Sequence, residues 1–398
     1  MNNKILLLIF SIMLCTQNSC DAKKVPPALP PDNEKVSQIE WQPEFNIGGE
    51  IFPSNILAHP VSLSDGKIFA EGEHPADTSL PTLSVSVVNP SSQSHIKLEI
   101  DIAGLSELSE FEGVLEKEGE TYDINPIISW NYQYLAKIKQ PLATTAKFNL
   151  YINGSLVSKK SMAIKVRSVN DAPIYVNGDY SWIFAAYVNE NHPRIDQLLR
   201  EAINTGTVSH GFVGYQAGEQ YVSQQVFAIW NLFQRRGFQY SSITTPTGYS
   251  TEIYSQYVRT FEDSINTSQA NCVDGSVLFA SVLRKIGIDP FLVLIPGHMF
   301  LGFYLDEQHK HPVFLETTMM GSTNLKKYSE EDTLDGAFSW LLGIDTRNQA
   351  SANSFNNAIQ EGNNNFFSNQ QHFINNESGY KFIDIDEQRK AGVEPINR

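Results

Sequence analysis

Asn271-Cys272-Val273-Asp274-Gly275-Ser276-Val277-Leu278-Phe279-Ala280-Ser281-Val282-Leu283-Arg284-Lys285-Ile286-Gly287 reads as one helix from cap to stop. Asn271 is a good N-cap, because its side-chain oxygen can accept from first-turn N–H groups. Val277, Leu278, Ala280 and Leu283 recur as one buried stripe, and Gly287 supplies the residue type that ends a helix. Cys272 falls in the first turn. There it meets the positive end of the helix dipole and backbone N–H groups that lack intrahelical acceptors, both of which favour the thiolate. The same N–H groups can serve an oxyanion formed when a thiolate attacks a carbonyl.

The segment after the helix gives the thiol its partners. Phe291-Leu292-Val293-Leu294-Ile295 is a continuous apolar run and hence a buried strand, Pro296-Gly297 turns the chain, and His298 begins a second strand running to Leu305. Asp306-Glu307-Gln308 reads as a three-residue hairpin loop, with Pro312 to Glu316 returning antiparallel. Pairing Leu305 with His309 sets His298 directly opposite Glu316 on one face of the sheet, and a slip of one residue would separate them. Thiol, imidazole and carboxylate in that order suggest nucleophile, base and orienting group. Each has a plainer reading, as a small buried hydrophobe, a structural histidine and a solvent-facing acid. Their order, each in or at the start of a regular element, favours a site.

The stretch Asn271 to Gly287, followed by Pro296-Gly297-His298 and Leu315-Glu316-Thr317-Thr318, resembles the transglutaminase-like cysteine enzymes, whose fold is related to papain. The resemblance is strong over residues 223–318, weaker over 175–222 and 319–398, and absent from the β-rich region before them. It implies Cys272 as nucleophile, His298 as base and Glu316 as third member; the last departs from the family, which has Asp there. A glutamine upstream of the cysteine donates to the oxyanion in papain-like enzymes. Gln256 is the candidate for that role here, with Gln269 also lying shortly before Cys272.

The N-terminus reads as an export signal. Lys4 precedes an apolar run from Ile5 to Cys15, and Thr16-Gln17-Asn18-Ser19 turns polar. The run is too short to span a bilayer as a helix. It resembles a bacterial lipoprotein signal in which Ser19 precedes the lipidated Cys20, with Gln17 where that motif usually has Leu. Asp21 to about Gln38 carries Pro26, Pro27, Pro30 and Pro31, the composition of a semi-rigid spacer. If residues 1–19 are removed and Cys20 carries lipid, Cys272 is left with no cysteine to pair with.

Between spacer and thiol the period of the apolar pattern changes. Leu83–Val87, Ile96–Ile102 and Lys147–Ile152 alternate at period two, and Asn153-Gly154 is a two-residue hairpin signal leading to Ser155–Val157 and Met162–Val166. Strands at this spacing predict a small sandwich of immunoglobulin-like character. Ser168-Val169-Asn170-Asp171-Ala172-Pro173 reads as a polar boundary. Helical period comes next, with one helix opened by Pro193 and another over about Ser223–Arg236, whose Trp230 reads as core. In the tail, Phe355, Ala358, Ile359 and Phe366 suit one face of a helix, and Tyr380–Ile385 reads as a late strand. The expected class is α+β: signal peptide 1–19, tether and unassigned segment 20–78, β-sandwich 79–172 and transglutaminase-like (papain-like) domain 173–398.

Formal charge is −15 over 398 residues, and losing residues 1–19 removes only Lys4, giving −16. Such a chain has no electrostatic case for nucleic acid or anionic headgroups, so membrane contact is expected only through lipid at Cys20. His309-Lys310-His311 reads as a solvated turn with no cysteine or carboxylate cluster to complete a zinc set, and neither metal nor cofactor is expected. The expected protein is a thiol enzyme of the bacterial cell envelope, lipid-anchored outside the cytoplasm or otherwise secreted. It attacks amide or peptide bonds of a peptide or protein substrate through an acyl-enzyme, with hydrolysis favoured over amine transfer. The opposing reading is a non-catalytic binding or assembly module on the same scaffold. Substrate identity and oligomeric state stay open.

Overall fold

Side chains that alternate at period two must be buried on one face, and the structure pairs them accordingly. The computed structural model describes residues 39–396 apart from 60–63, 71, 74–80, 176–178, 243–253 and 323–335, so the leader, Cys20 and the spacer lie outside the described residues. In chain order come β1 (Trp41–Phe45), α1 (Pro53–Ala58), β2 (Lys67–Ala70), β3 (Leu83–Val88), β4 (Ser94–Ile102), β5 (Ser109–Leu115), β6 (Thr121–Asn125), α2 (Tyr132–Leu135), β7 (Leu142–Ile152) and β8 (Ser155–Val166). The strands form two four-stranded antiparallel sheets, in the orders β1-β3-β6-β2 and β5-β4-β7-β8. Val85, Val87, Leu98, Ile100, Phe148 and Leu150 meet in one core. The β7–β8 hairpin turns through Asn153 and Gly154, both at positive φ (49° and 79°), as a tight turn matching the strand twist requires.

The strands begin earlier than position 79. Trp41 pairs with Val87 and Phe45 with Leu83, while Lys67–Ala70 extends the same sheet along β6. Fragments too short to show a period by themselves are strands because a longer neighbour supplies their hydrogen bonds.

The second half adds β9 (Asp171–Tyr175), α3 (Ile195–Ile203), α4 (Glu219–Arg235), β10 (Gln239–Tyr240), β11 (Tyr254–Tyr257), α5 (Phe261–Thr267), β12 (Gln269–Ala270), α6 (Cys272–Lys285), β13 (Pro290–Ile295), β14 (His298–Tyr304), β15 (Pro312–Leu315), α7 (Gln349–Ile374), β16 (Lys381–Asp384) and α8 (Ile385–Lys390). Helices and mostly antiparallel sheets segregate along the chain, so the class is α+β. The sheet β15-β14-β13-β16 has two apolar faces. Leu292, Leu301 and Leu315 join the core shared with α4 and α6, and Phe291, Phe300 and Phe314 form a second cluster closed by Phe366 and Phe373 of α7.

The polar stretch 168–173 is buried. Ser168, Asn170 and Asp171 are buried, and β9 pairs antiparallel with β11. Asn170 Nδ2 donates to the Val258 carbonyl at 2.7 Å, Ser54 Oγ to the Asp171 carbonyl at 2.5 Å, and the Asp171 carboxylate accepts from Ser168 N at 3.1 Å. Turn-forming residues are needed here because a buried bend must satisfy its own polar groups.

The β14–β15 register also differs from expectation. Leu301 faces Leu315 and Tyr304 faces Pro312, and Leu305 N bonds to the His311 carbonyl, so the loop runs from Asp306 to Lys310. The Asp306 carboxylate holds this wider loop by accepting N–H bonds from Gln308, Lys310 and His311. The pairing is displaced by two residues, which preserves side-chain parity, so Glu316 lies diagonal to His298 on the same side instead of directly opposite.

Candidate active site

The cap that opens α6 sets the thiol. Asn271 Oδ1 accepts from Asp274 N at 2.8 Å and Asp274 Oδ2 accepts from Asn271 N at 3.1 Å, a reciprocal capping box. The cap consumes the N–H groups of Asn271 and Asp274 and leaves those of Cys272 and Val273 outside it. Asp274 is fully buried. Burial pushes its carboxyl upward, and it is held in place by Arg259, whose N and Nη1 donate at 2.7 and 2.6 Å. Arg259 is therefore a structural partner of the helix start.

Cys272 is half-buried. His298, the first residue of β14, donates from Nε2 to Glu316 Oε2 at 2.6 Å, and the Cys272 side chain is near enough to favour its protonation. Burial works against the imidazolium, but Cys272 and Glu316 outweigh it and raise His298 to about 10. Glu316 is 3% exposed. Burial pushes its carboxyl up, yet the hydrogen bonds from His298 and Thr318 hold it below the usual carboxylate range. Thr318 N and Oγ1 reach Oε1 at 3.0 and 2.6 Å. Imidazole and carboxylate thus form one hydrogen-bonded pair with Glu316 at its buried end, and the thiol stands within electrostatic reach of it. A Cβ on Gly275 would lie 2.8 Å from Thr317 Oγ1, so α6 approaches the turn after Glu316 as closely as only glycine allows.

Gln256 is not brought to this group. It sits in β11 opposite Ala172, and its Nε2 donates to the neighbouring Tyr257 carbonyl at 2.9 Å, with no bond to Cys272, His298 or Glu316. Gln269 is exposed in β12, where it pairs with Gln239. Tyr240, missed in the sequence, is the next residue of that ladder, beside Ala270. Its phenol is raised first by burial and then by the charges of Cys272 and Glu316, which places it in electrostatic reach of both. The sequence signal was slight: β10 has two residues, too few to display a period.

Away from the thiol, Glu219, Asp306 and His311 each offer one ligand atom within 4.8 Å of the others. His311 Nδ1 already lies 2.5 Å from Glu219 Oε1, a hydrogen-bond distance, and Asp306 accepts its own loop's N–H groups. His309 bonds Asp289 at 3.0 Å and stacks on Tyr304. The expectation that no carboxylates gather at this turn does not hold, and hydrogen bonds tie Glu219 to His311 and Asp306 to its own loop.

No protein-family model matches the chain, and no curated protein does. Among solved structures the chain is similar to a candidate cysteine protease from Cytophaga hutchinsonii, at 11% identity over 60% of this chain and 75% of that one, with a TM-score of 0.22. A likeness at that score carries no argument, and the chemistry rests on the geometry above. Among the described residues, no helix is long and apolar enough to cross a membrane.

Proposed function

We propose that the protein is a thiol amide hydrolase in which Cys272 attacks, His298 moves the proton and Glu316 holds the imidazole. The observation that carries this reading is an imidazole held at 2.6 Å by a buried carboxylate, with the half-buried Cys272 near enough to favour its protonation. The thiolate Sγ adds to the carbonyl carbon, and the oxyanion meets the N–H groups at the start of α6. The C–N bond breaks, the departing amine takes the proton from His298, and a thioester remains on Cys272. Water, losing a proton to His298, then attacks the thioester and returns acid and thiol. The arrangement of α6, β14 and β15 supports a transglutaminase-like core, and the paired sheets of residues 41–166 support an immunoglobulin-like module before it. The leader and Cys20 argue for export and a lipid anchor in a bacterial envelope.

Hydrolysis is favoured over transfer because water is always present. The test is partition of an activated ester between water and excess glycine ethyl ester. The expected outcome is mostly free acid, dependent on Cys272. Mostly amide product would make the protein an acyltransferase, and no Cys272-dependent turnover would leave a binding or assembly module.

A further inference from the structure

We infer that the C-terminal helix α7 is part of the thiol site and that Asn365 on it is the positioning residue that orients Glu316. The inference rests on reading Cys272, His298 and Glu316 as the reacting group. Glu316 lies just past the end of β15, where no ladder holds it. Its Oε1 takes both bonds from Thr318, while Oε2 takes His298 Nε2 and, at 3.2 Å, Asn365 Nδ2. Thr318 fixes Oε1, but an acid meant to fix the histidine cannot rely on that same histidine alone to hold Oε2. Asn365 supplies the independent donor on that oxygen, and it comes from a different element of the fold.

The approach of α7 is built into its sequence. β15 is the edge of its sheet, and α7 covers that edge. Glu316 N donates to the Ala358 carbonyl at 2.9 Å, and Phe314 N to Asn363 Oδ1 at 3.3 Å. A Cβ on Gly362 would stand 2.6 Å from the Phe314 carbonyl carbon and oxygen and 2.7 Å from Leu315 N, so the contact is backbone against backbone and glycine alone permits it. Ala358, Gly362 and Asn365 succeed one another at spacings of four and three, on one helix face. The helix therefore brings a carbonyl for the Glu316 backbone and an amide for its side chain.

The test is the rate of Cys272 alkylation by iodoacetamide against pH, in the full chain, for wild type, Asn365→Ala, Asn365→Asp, Gly362→Ala and His298→Ala, with the thermal midpoint of each. Loss of a hydrogen bond to a charged group predicts a slowing of roughly 10-fold at neutral pH for Asn365→Ala. Asn365→Asp keeps the shape but offers oxygens and a like charge, so it is expected to be at least as slow as alanine. A merely space-filling role would make aspartate the milder change, and that result would overturn the inference. Gly362→Ala is expected to slow labelling along with lowering the midpoint; a lowered midpoint with unchanged labelling would remove α7 from the site. Fast, His298-dependent labelling in wild type with Asn365 variants unchanged sinks this inference alone. Labelling indifferent to His298 sinks the underlying reading instead.

Discussion

Replacing His298 with alanine is expected to slow acyl transfer from an activated ester to Cys272 by roughly 10²–10⁴-fold, the span of general acid–base catalysis by a placed side chain. The variant loses both the proton carrier and the charge that faces the thiol. Its pH profile should change shape as well. In wild type, burial disfavours the imidazolium, but Cys272 and Glu316 carry His298 to about 10, so the protonated ring persists through neutral pH. A raised value means that the pairing stabilises the fold fully below about 6.5, the unfolded reference, and that this contribution is lost as pH rises through about 10. Acyl transfer in wild type should accordingly fall as pH passes about 10, and that descending limb should be missing in His298→Ala. A loss under about 10-fold, or an unchanged upper limb, would remove His298 from the chemistry.

Trp230→Ala is expected to destabilise the α-rich half by about 3–5 kcal/mol, measured by denaturant unfolding. Trp230 is fully buried in α4, with its ring 6.2 Å from Phe279 of α6 and 5.8 Å from Phe355 of α7. It therefore joins the helix that presents the thiol to the helix that carries Asn365, and the cavity would open between them. Its Nε1–H is buried without an acceptor. Trp230→Phe removes that unpaired donor, which offsets part of the lost contact area, so its cost should stay below about 1.5 kcal/mol. Equal losses for the two variants would show that the indole N–H is not a burden and that the packing argument is incomplete.

The legible part of the fold was the part whose signals are local. Asn271 as cap, the stripe through Leu283 and the stop at Gly287 lie within one helix, and the structure returns that helix with its capping box. Asn153-Gly154 likewise encodes its own turn. Register between β14 and β15 was misjudged by two residues, because it depends on how Asp306 folds its loop, and that is a matter of hydrogen bonds and not of apolar period. Parity kept Glu316 on the same side as His298 all the same. The positions of Tyr240 and Asn365 were illegible for another reason. One lies in a two-residue strand defined by its partner, and the other reaches Glu316 from 49 residues away through a helix whose polar face looks like any solvated one. Gln256 shows the converse: a glutamine at a suggestive distance in sequence, turned onto its own strand.

The most direct measurement is mass spectrometry of the full chain mixed with an activated ester and quenched in acid within the first turnover. The account predicts a mass increase of one acyl group, carried by the peptide that contains Cys272 and absent from Cys272→Ser. An unmodified chain, or an acyl group on any other residue with Cys272 untouched, would contradict it.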